Sequence, residues 1–152
     1  MNTIHARQAV LSDLDALAPL FDDYRQFYGR TAHVPAARAF LLDRFNHGES
    51  TLFIANEGNA AVGFIQLYPS FSSVSLARTF ILNDLFVQEC ARRKGVASKL
   101  LLAAVEFANT LGAIRVSLST ATNNEAAQKL YKSAGWQQDK QFFVYHFALP
   151  TT

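Results

Sequence analysis

The stretch Arg92-Arg93-Lys94-Gly95-Val96-Ala97 decides how this chain is interpreted. It follows an apolar run typical of a β-strand, Ile81 to Val87, and an apolar-periodic helix begins near Val96. Backbone N–H groups at a helix N-terminus have no acceptor within the helix, and the helix dipole favours negative charge there. Gly95 permits a positive φ and close approach of the backbone to a bound group.

The basic side chains beside this turn leave two interpretations open. Four of them add charge that suits a pyrophosphate, namely Arg92, Arg93, Lys94 and Lys99. The alternative is a solvated basic turn before a surface helix. The stretch is neither a Walker A loop nor a dinucleotide fingerprint, because GxxxxGK[ST] and GxGxxG are both absent from the sequence.

Length and composition are those of an ordinary globular protein. The chain has 152 residues, half of them hydrophobic and 17% charged, which predicts a single domain over residues 1–152. A formal net charge of +2 without long basic runs argues against a nucleic-acid binder. The single Cys90 excludes an internal disulfide, and the four histidines lack metal-ligand spacing, so we expect no metal. Without an apolar leader or an 18-residue apolar run, we expect no membrane segment and a cytoplasmic protein.

Hydrophobic periodicity predicts an α/β chain with four helices. Ser12 is the expected N-cap of the first, with Asp15 three residues on as a loose capping box. The helices span residues 13–28, Pro35 to about Asn46, about 96–110, and Asn124 to Ala134. The strands span residues 2–9, 51–55, 61–68, 78–87, 114–119 and 142–149, with a further short strand near Trp136. Pro69 and the serines that follow it predict a loop.

Two motifs resemble those of a known family. Arg92-x-x-Gly95-x-Ala97 resembles the acetyl-CoA-binding signature of the GNAT superfamily of N-acetyltransferases. Asn124-x-x-Ala127-x-x-Leu130-Tyr131-x-x-x-Gly135-Trp136 is similar to the motif that closes the GNAT cofactor site, although the family usually has Phe or Tyr where Trp136 stands. One helix and one strand separate the two motifs, as in the family. The resemblance implies a mixed, mostly antiparallel sheet of six to seven strands flanked by about four helices.

The second motif also has an interpretation of its own. Seven positions nearly complete two helical turns, so Asn124 and Tyr131 share a helix face with Ala127 between them. That face either lines a ligand, or consists of an N-capping Asn and a half-buried core Tyr. Together with the first motif, we favour the ligand.

The resemblance implies roles for individual residues. Backbone N–H groups from Arg93 to Ala97 hold the CoA pyrophosphate, helped by the Ser98 hydroxyl. The pantetheine arm meets the backbone of Phe86 and Val87 like an added strand, where this strand bulges and splays from the strand at 114–119. Asn124 contacts the arm, and Tyr131 protonates the departing thiolate. The implied cofactor-binding residues are Phe86, Val87, Arg92, Arg93, Lys94, Gly95, Val96, Ala97, Ser98, Asn124, Ala127 and Tyr131.

The general base is where this sequence departs from its relatives. Polyamine- and histone-acetylating members, the subgroup that this chain resembles, often carry Glu-Asp in the strand before the signature, and here the pair is Asn83-Asp84. In an alternating strand these two residues face opposite sides. Asp84 is the candidate base. The alternatives are an Asp satisfied inside the fold by backbone or Arg contacts, or a water relay from Asn83 and backbone carbonyls.

The first helix carries an acidic and aromatic stretch that we assign to the acceptor. Asp22, Asp23, Tyr24 and Tyr28 are the predicted substrate-binding residues, since family members use this N-terminal region for the acceptor. The alternative is a core stripe beside a solvated acidic face.

The predicted function is transfer of an acetyl group from acetyl-CoA to a primary amine, either a small amine, a polyamine or a lysine. The alternative is a CoA-binding sensor or partner module with little catalysis, which Asn83 favours and Tyr131 disfavours. Many family members are homodimers, so a homodimer is expected.

Overall fold

The computed structural model describes residues 3–151, which divide into two compact units at Ser119/Thr120. The first unit contains all five strands, three of the four α-helices, and two short 3-10 turns at Leu11–Asp13 and Glu89–Ala91. In chain order its strands and α-helices are β1 (Ile4–Gln8), α1 (Leu14–Phe27), α2 (Val34–His47), β2 (Thr51–Glu57), β3 (Ala60–Ser72), β4 (Ala77–Val87), α3 (Val96–Thr110) and β5 (Val116–Ser117). The second unit contains α4 (Glu125–Ser133).

The sheet is mixed, and helices cover both of its faces. The strands lie in the order β1-β2-β3-β4-β5, with the first three pairs antiparallel and β4 parallel to β5. Phe21 of α1 packs edge-on against Phe64, which places α1 on one face. Phe107 of α3 packs against Phe53 and Phe80, so α3 covers the other face. Because side chains alternate along a strand, each face of the sheet carries its own apolar layer.

A β-bulge interrupts β4 at Asn83. Gln66 of β3 lies opposite Asp84, but its neighbour Leu67 lies opposite Leu82, so Asn83 is the extra residue on β4. A bulge places two consecutive residues opposite one and breaks the alternation of faces. Asp84 therefore joins Gln66 and Phe64 on the face covered by α1.

Strand β4 separates from β5 soon after the two begin to pair. The recorded pairs are Phe80 with Val116 and Ile81 with Ser117. Within residues 3–151, the part of β4 from 82 to 87 thus pairs with β3 alone and has an open edge on its other side. The bulge and the splay expected from the family resemblance are both present.

The α/β mixed fold with four helices is confirmed, and for the part of the chain that the structure describes the number of strands is corrected from six or seven to five. The predicted strand at 142–149 is wrong in the described chain: the segment has no strand partner and its aromatic side chains are exposed. An apolar, aromatic-rich sequence becomes a strand only where a neighbour pairs with its backbone, and the sequence of the segment does not supply that neighbour. Trp136 forms no strand either, because its N–H donates to Tyr131 O (3.0 Å) in a turn that ends α4.

Smaller boundaries are also corrected. The strand predicted at 114–119 shortens to Val116–Ser117, and β3 runs through Pro69 to Ser72 where a loop was predicted. Ser12 lies inside a 3-10 turn and does not cap α1. The predicted start of the first strand at residue 2 lies outside the described residues. The single domain over residues 1–152 stays a prediction.

Candidate active site

The basic glycine turn has the geometry of an anion-binding loop. Gly95 is the N-cap of α3 in the left-handed region (φ 79°), and Arg93 also has a positive φ of 63°. Within residues 3–151, the backbone N–H groups from Arg93 to Ser98 make no hydrogen bond. Successive unpaired N–H groups in and beside left-handed residues form a concavity that attracts anions, and the dipole of α3 adds to it. The expected backbone donors are therefore available.

Gly63 of β3 allows the first turn of α3 to lie against the sheet. A Cβ on Gly63 would lie 3.0 Å from Phe86 O, 3.2 Å from Val96 Cγ1 and 3.3 Å from Leu100 Cδ1. No larger residue fits without moving the start of α3. The position of the anion-binding loop thus depends on a residue more than thirty positions earlier in the sequence.

Most of the basic side chains around the loop already have partners. Arg92 Nε donates to Val87 O (2.9 Å), and Lys99 Nζ donates to Ile4 O (2.9 Å). Lys94 forms an ion pair with Glu57 (3.2 Å). Arg93 alone of these four side chains makes no hydrogen bond or ion pair within the described residues. An anion here is therefore met mainly by backbone N–H groups, with Arg93 as the available cation.

The open edge of β4 leads into this loop, and its backbone groups alternate in direction. Gln88 N–H donates to Val62 O (2.8 Å), so Gln88 and, two residues earlier, Phe86 point their backbone groups toward β3. Leu85 and Val87 point theirs toward the open edge. Of the two residues named from the sequence, only Val87 offers backbone groups there, and its carbonyl holds the Arg92 side chain.

Asp84 is a buried carboxylate surrounded by hydrogen-bond donors. Its side chain lies on the α1 face, and the residue is 4% exposed. Gln66 Nε2 donates to Oδ2 (2.7 Å) and Asn83 Nδ2 to Oδ1 (3.1 Å). The Tyr24 hydroxyl of α1 also stabilises the charge of this carboxylate. The expectation that Asn83 and Asp84 face opposite sides is wrong, because the bulge brings their side chains together.

Burial raises the pKa of Asp84 above its ordinary value, and the hydrogen bonds from Gln66 and Asn83 and the nearby Tyr24 hydroxyl only partly oppose this. Burial also raises the pKa of Tyr24, with a further contribution from the charge of Asp84. Burial and the same charge raise the pKa of Tyr68 to about 12. Both tyrosines therefore remain protonated donors at neutral pH, and Asp84 is a stronger base than an exposed aspartate.

Aromatic rings cluster around Tyr24, the tyrosine next to the Asp84 carboxylate. Tyr24 packs against Tyr28 (5.1 Å between centroids), Phe64 (5.7 Å) and Phe86 (6.1 Å). The Arg92 guanidinium lies 5.8 Å from the ring centroid of Phe86. The cluster thus already holds a cation against an aromatic face, an arrangement that also suits an alkylammonium group.

Asp22 and Asp23 differ in their surroundings. Asp22 is 1% exposed and accepts from Arg25 Nη1 (2.7 Å), from Gln26 Nε2 (3.2 Å), and from the backbone N–H of His33 at both oxygens (3.1 Å each). Asp22 thus ties the end of α1 to the start of α2, and its oxygens are occupied. Asp23 is exposed and makes no hydrogen bond or ion pair within the described chain. Tyr24 and Tyr28 are the acceptor-site candidates that lie in the aromatic cluster.

The second unit carries the other motif. Asn124 caps α4, because its Oδ1 accepts from Ala127 N–H (3.1 Å). The half-buried positions of this helix and its cap are Asn124, Ala127, Leu130 and Tyr131, which confirms that Asn124 and Tyr131 share a face. The Tyr131 ring lies 6.1 Å from that of Trp136. Within this unit the side chain of Asn124 is used as the helix cap. The cofactor roles of Asn124 and Tyr131 stay predictions.

Four residues of this site are absent from the sequence-based assignment: Gly63, Gln66, Tyr68 and Leu85. Gln66 carried a signal, since a polar residue inside the apolar run Ala61 to Tyr68 is unusual in a buried strand. Gly63 carried one too, since a glycine inside a strand often marks a close approach of another part of the chain. Tyr68 and Leu85 have no signal in the sequence, because bulge position and strand register decide their roles. Within residues 3–151, no cluster of His, Cys, Asp or Glu is placed to hold a metal ion. No α-helix in that range is long and apolar enough to cross a membrane.

Comparison with known proteins agrees with this geometry. Residues 16–136 match the model of the Acetyltransferase (GNAT) family. An uncharacterized N-acetyltransferase, YhfO of Bacillus subtilis, is 44% identical over 97% of this chain and 99% of its own. A D-amino-acid N-acetyltransferase of Saccharomyces cerevisiae, HPA3, is 30% identical over 86% of this chain and 83% of its own. The crystal structure of a probable acetyltransferase superposes with a TM-score of 0.91 at 44% identity, covering 97% of this chain and 99% of the other. The chain therefore belongs to the GNAT family and is an acetyl-transferring enzyme.

Proposed function

We propose that the protein transfers the acetyl group of acetyl-CoA to a cationic primary amine, with Asp84 as general base. One observation carries this proposal. A buried carboxylate lies at a bulge in β4, and the same strand continues along an open edge to the anion-binding loop at Arg93–Ser98. A base, a strand edge and a phosphate site thus follow one another along a single stretch of chain.

The cofactor would bind as an added strand. The pyrophosphate would accept hydrogen bonds from the N–H groups of the loop, with Arg93 as counter-ion. The pantetheine amides would pair with the backbone groups of Leu85 and Val87 at the open edge. Arg92 would then release the Val87 carbonyl, which it holds at 2.9 Å.

The reaction needs a proton acceptor before it needs anything else. A primary amine resembling lysine has a pKa of about 10.4, so at neutral pH it is protonated and not nucleophilic. Asp84 accepts a proton from the ammonium, and the freed nitrogen lone pair attacks the thioester carbonyl carbon. A backbone N–H stabilises the oxyanion. The C–S bond breaks as the nitrogen loses its second proton, and the thiolate takes up a proton from a donor that the second nitrogen proton then restores. Tyr131 is the proposed donor of that proton, on the strength of its place in the family motif.

The acceptor is proposed to carry a positive charge beside an apolar stem. Tyr24, Tyr28 and Phe86 provide aromatic faces around Asp84, and such faces attract ammonium groups. The yeast relative's name supports a small amine, whereas the subgroup resemblance also admits a polyamine or a lysine. Asp23 is the exposed carboxylate nearest in sequence to these rings, while Asp22 is committed to the α1–α2 junction. The homodimer and the cytoplasmic location are likewise proposals from the family.

The experiment is an acetyl-CoA turnover screen over small amines, amino acids, polyamines and lysine peptides, with the wild type and an Asp84→Asn variant. We expect turnover with at least one cationic amine, and a loss of about 10²–10⁴-fold in Asp84→Asn. Asp43→Asn on α2 is the matched control, because Asp43 is exposed and its carboxylate makes no hydrogen bond in residues 3–151. CoA binding without transfer to any amine would overturn the proposal and favour the CoA-sensor alternative.

A further inference from the structure

Gln66 is a buried polar residue with one unused hydrogen-bonding atom. It is 0% exposed, in the middle of β3, and lies directly opposite Asp84 in the sheet register. Its Nε2 donates to Asp84 Oδ2 at 2.7 Å. Its Oε1 is buried and has no hydrogen-bond partner among the described residues. A buried amide oxygen without a donor costs free energy, so this arrangement requires an explanation beyond packing.

The protonation state of Asp84 provides that explanation. An ionised carboxylate only accepts hydrogen bonds, so Gln66 must present its NH₂ group to it. A protonated carboxyl group has an O–H to donate, and Gln66 must then present its oxygen. Rotating the amide by half a turn exchanges these two arrangements. Because Oε1 has no partner to lose, the rotation breaks only the bond to Asp84, which the protonated acid then re-forms in the opposite direction.

We propose that Gln66 is a positioning residue for the base: it holds Asp84 ionised before the reaction, and its amide rotates when Asp84 takes the proton of the acceptor. The inference rests on the proposed function of Asp84. The proton leaves the acceptor ammonium for Asp84 Oδ2, and the new O–H donates to Gln66 Oε1. In the resting state Gln66 opposes the effect of burial and keeps the carboxylate available.

The other groups that face Asp84 do not replace this contact. Tyr24 of α1 contributes a hydroxyl that is protonated at neutral pH and stabilises the charged carboxylate. Tyr68 of β3 is protonated, with its pKa raised to about 12. The charge of Arg44 on α2 lowers the pKa of Tyr68 and so opposes part of this rise. Asn83 binds the other carboxylate oxygen, Oδ1. Gln66 is thus the described partner of Oδ2 whose amide oxygen is still available to accept a hydrogen bond.

The test compares Gln66→Met with Gln26→Leu. Met keeps the length of the side chain and removes both amide atoms. Gln26 is the matched control, since its Nε2 also donates to a buried aspartate, Asp22 (3.2 Å), which is not a proposed base. Two readouts apply to each variant: titration of the Asp84 carboxyl carbon by NMR, and the pH profile of kcat/KM with the best amine. Losing one hydrogen bond to a charged group raises the Asp84 pKa by about one to two units.

We expect the NMR midpoint and the acid limb of kcat/KM to move together to higher pH in Gln66→Met, and to stay in place in Gln26→Leu. The Gln66 Nε2–H₂ resonances of the wild type should shift at the same midpoint as Asp84. Gln66→Glu gives a second variant should Met destabilise the fold: two carboxyl groups sharing a proton should move the limb further.

The outcomes separate the two proposals. An unchanged Asp84 midpoint in both Gln66 variants overturns the inference, even where amines are acetylated. If the NMR midpoint of Asp84 moves but the acid limb of kcat/KM does not, the positioning role is overturned and a residue other than Asp84 is the base. A wild type that acetylates no amine overturns the proposed function, and the positioning role with it.

Discussion

Replacing Gly63 with Ala tests how the anion-binding loop is placed. The new Cβ would meet Phe86 O at 3.0 Å, Val96 Cγ1 at 3.2 Å and Leu100 Cδ1 at 3.3 Å. Ordinary contacts of a Cβ begin near 3.4 Å, so the first turns of α3 must retreat from the sheet by a few tenths of an ångström. Overpacking costs about 1–3 kcal/mol. Replacing a glycine also lowers the conformational entropy of the unfolded chain, which stabilises the folded state by about 0.4–1 kcal/mol. The expected net loss in the free energy of unfolding is about 1 kcal/mol.

The effect on the cofactor should exceed the effect on stability. Moving Val96 moves the N–H groups that begin α3, and one lost hydrogen bond to a phosphate weakens CoA binding by about tenfold. Urea unfolding measures the free energy of unfolding, and calorimetry measures the affinity for CoA. Gly112→Ala is the control: Gly112 lies just beyond the other end of α3 with φ 75°, and a Cβ there would have nothing within 4 Å. Left-handed strain there costs about 1–2 kcal/mol, and CoA affinity should not change.

A double variant sharpens the result. Leu100→Ala removes one of the three crowded atoms, so Gly63→Ala should cost less in that background, with a coupling of about 0.5–1 kcal/mol. Strict additivity of the two substitutions, together with an unchanged CoA affinity in Gly63→Ala, would refute the reasoning.

Three other substitutions test the site. Gly95→Asp places bulk and negative charge where the phosphates are expected, and should weaken CoA binding by several kcal/mol if one charge-assisted contact contributes about 1.5–3; an unchanged affinity by calorimetry in the folded variant would move the phosphate site elsewhere. Tyr131→Phe removes only a hydroxyl, so turnover should fall about 10²–10⁴-fold at unchanged CoA affinity, and near-normal steady-state rates would exclude the general-acid role. Asp84→Asn should raise the free energy of unfolding at pH 7. The sign follows from burial, which raises the pKa of Asp84 in the folded state. As the pH rises from the unfolded-state pKa of about 3.9 through the folded-state pKa, the wild type loses stability, because the buried carboxyl group must ionise. The Asn variant has no group to ionise there and keeps its stability. Urea titrations from pH 4 to 7 that give parallel curves would contradict this.

The sequence predicted most of the elements of the first unit because their signals are local. Apolar periodicity located α1 and α3 to within a residue or two, and the glycine turn with its helix start predicted free N–H groups that the structure contains. The same local signals failed at 142–149, where an apolar and aromatic run lacks a pairing strand. They also failed at Pro69–Ser72, where pairing with β4 extends a strand past turn-like residues.

The roles of two predicted site residues depended on their partners. Asp22 fitted an acidic helix face in the sequence, but the backbone N–H of His33 and the side chains of Arg25 and Gln26 occupy its oxygens. Phe86 lies on the expected strand, but its backbone points toward β3. Neither fact is visible in a residue's own neighbourhood in the sequence.

The sequence by itself determined the family motifs, the helix that begins at Val96, and the choice of Asp84 as the remaining carboxylate of the pair. Only the tertiary structure decided the partners and the burial of the Asp84 side chain. The bulge at Asn83 turns it toward Gln66, and the packing of α1 buries it beneath Tyr24. Motifs and helix signals arise from residues close together in the chain, whereas burial, register and the direction of a hydrogen bond arise between strands and helices far apart in it. Those long-range contacts set the pKa of the carboxyl group, because they set the free energy of its charged form.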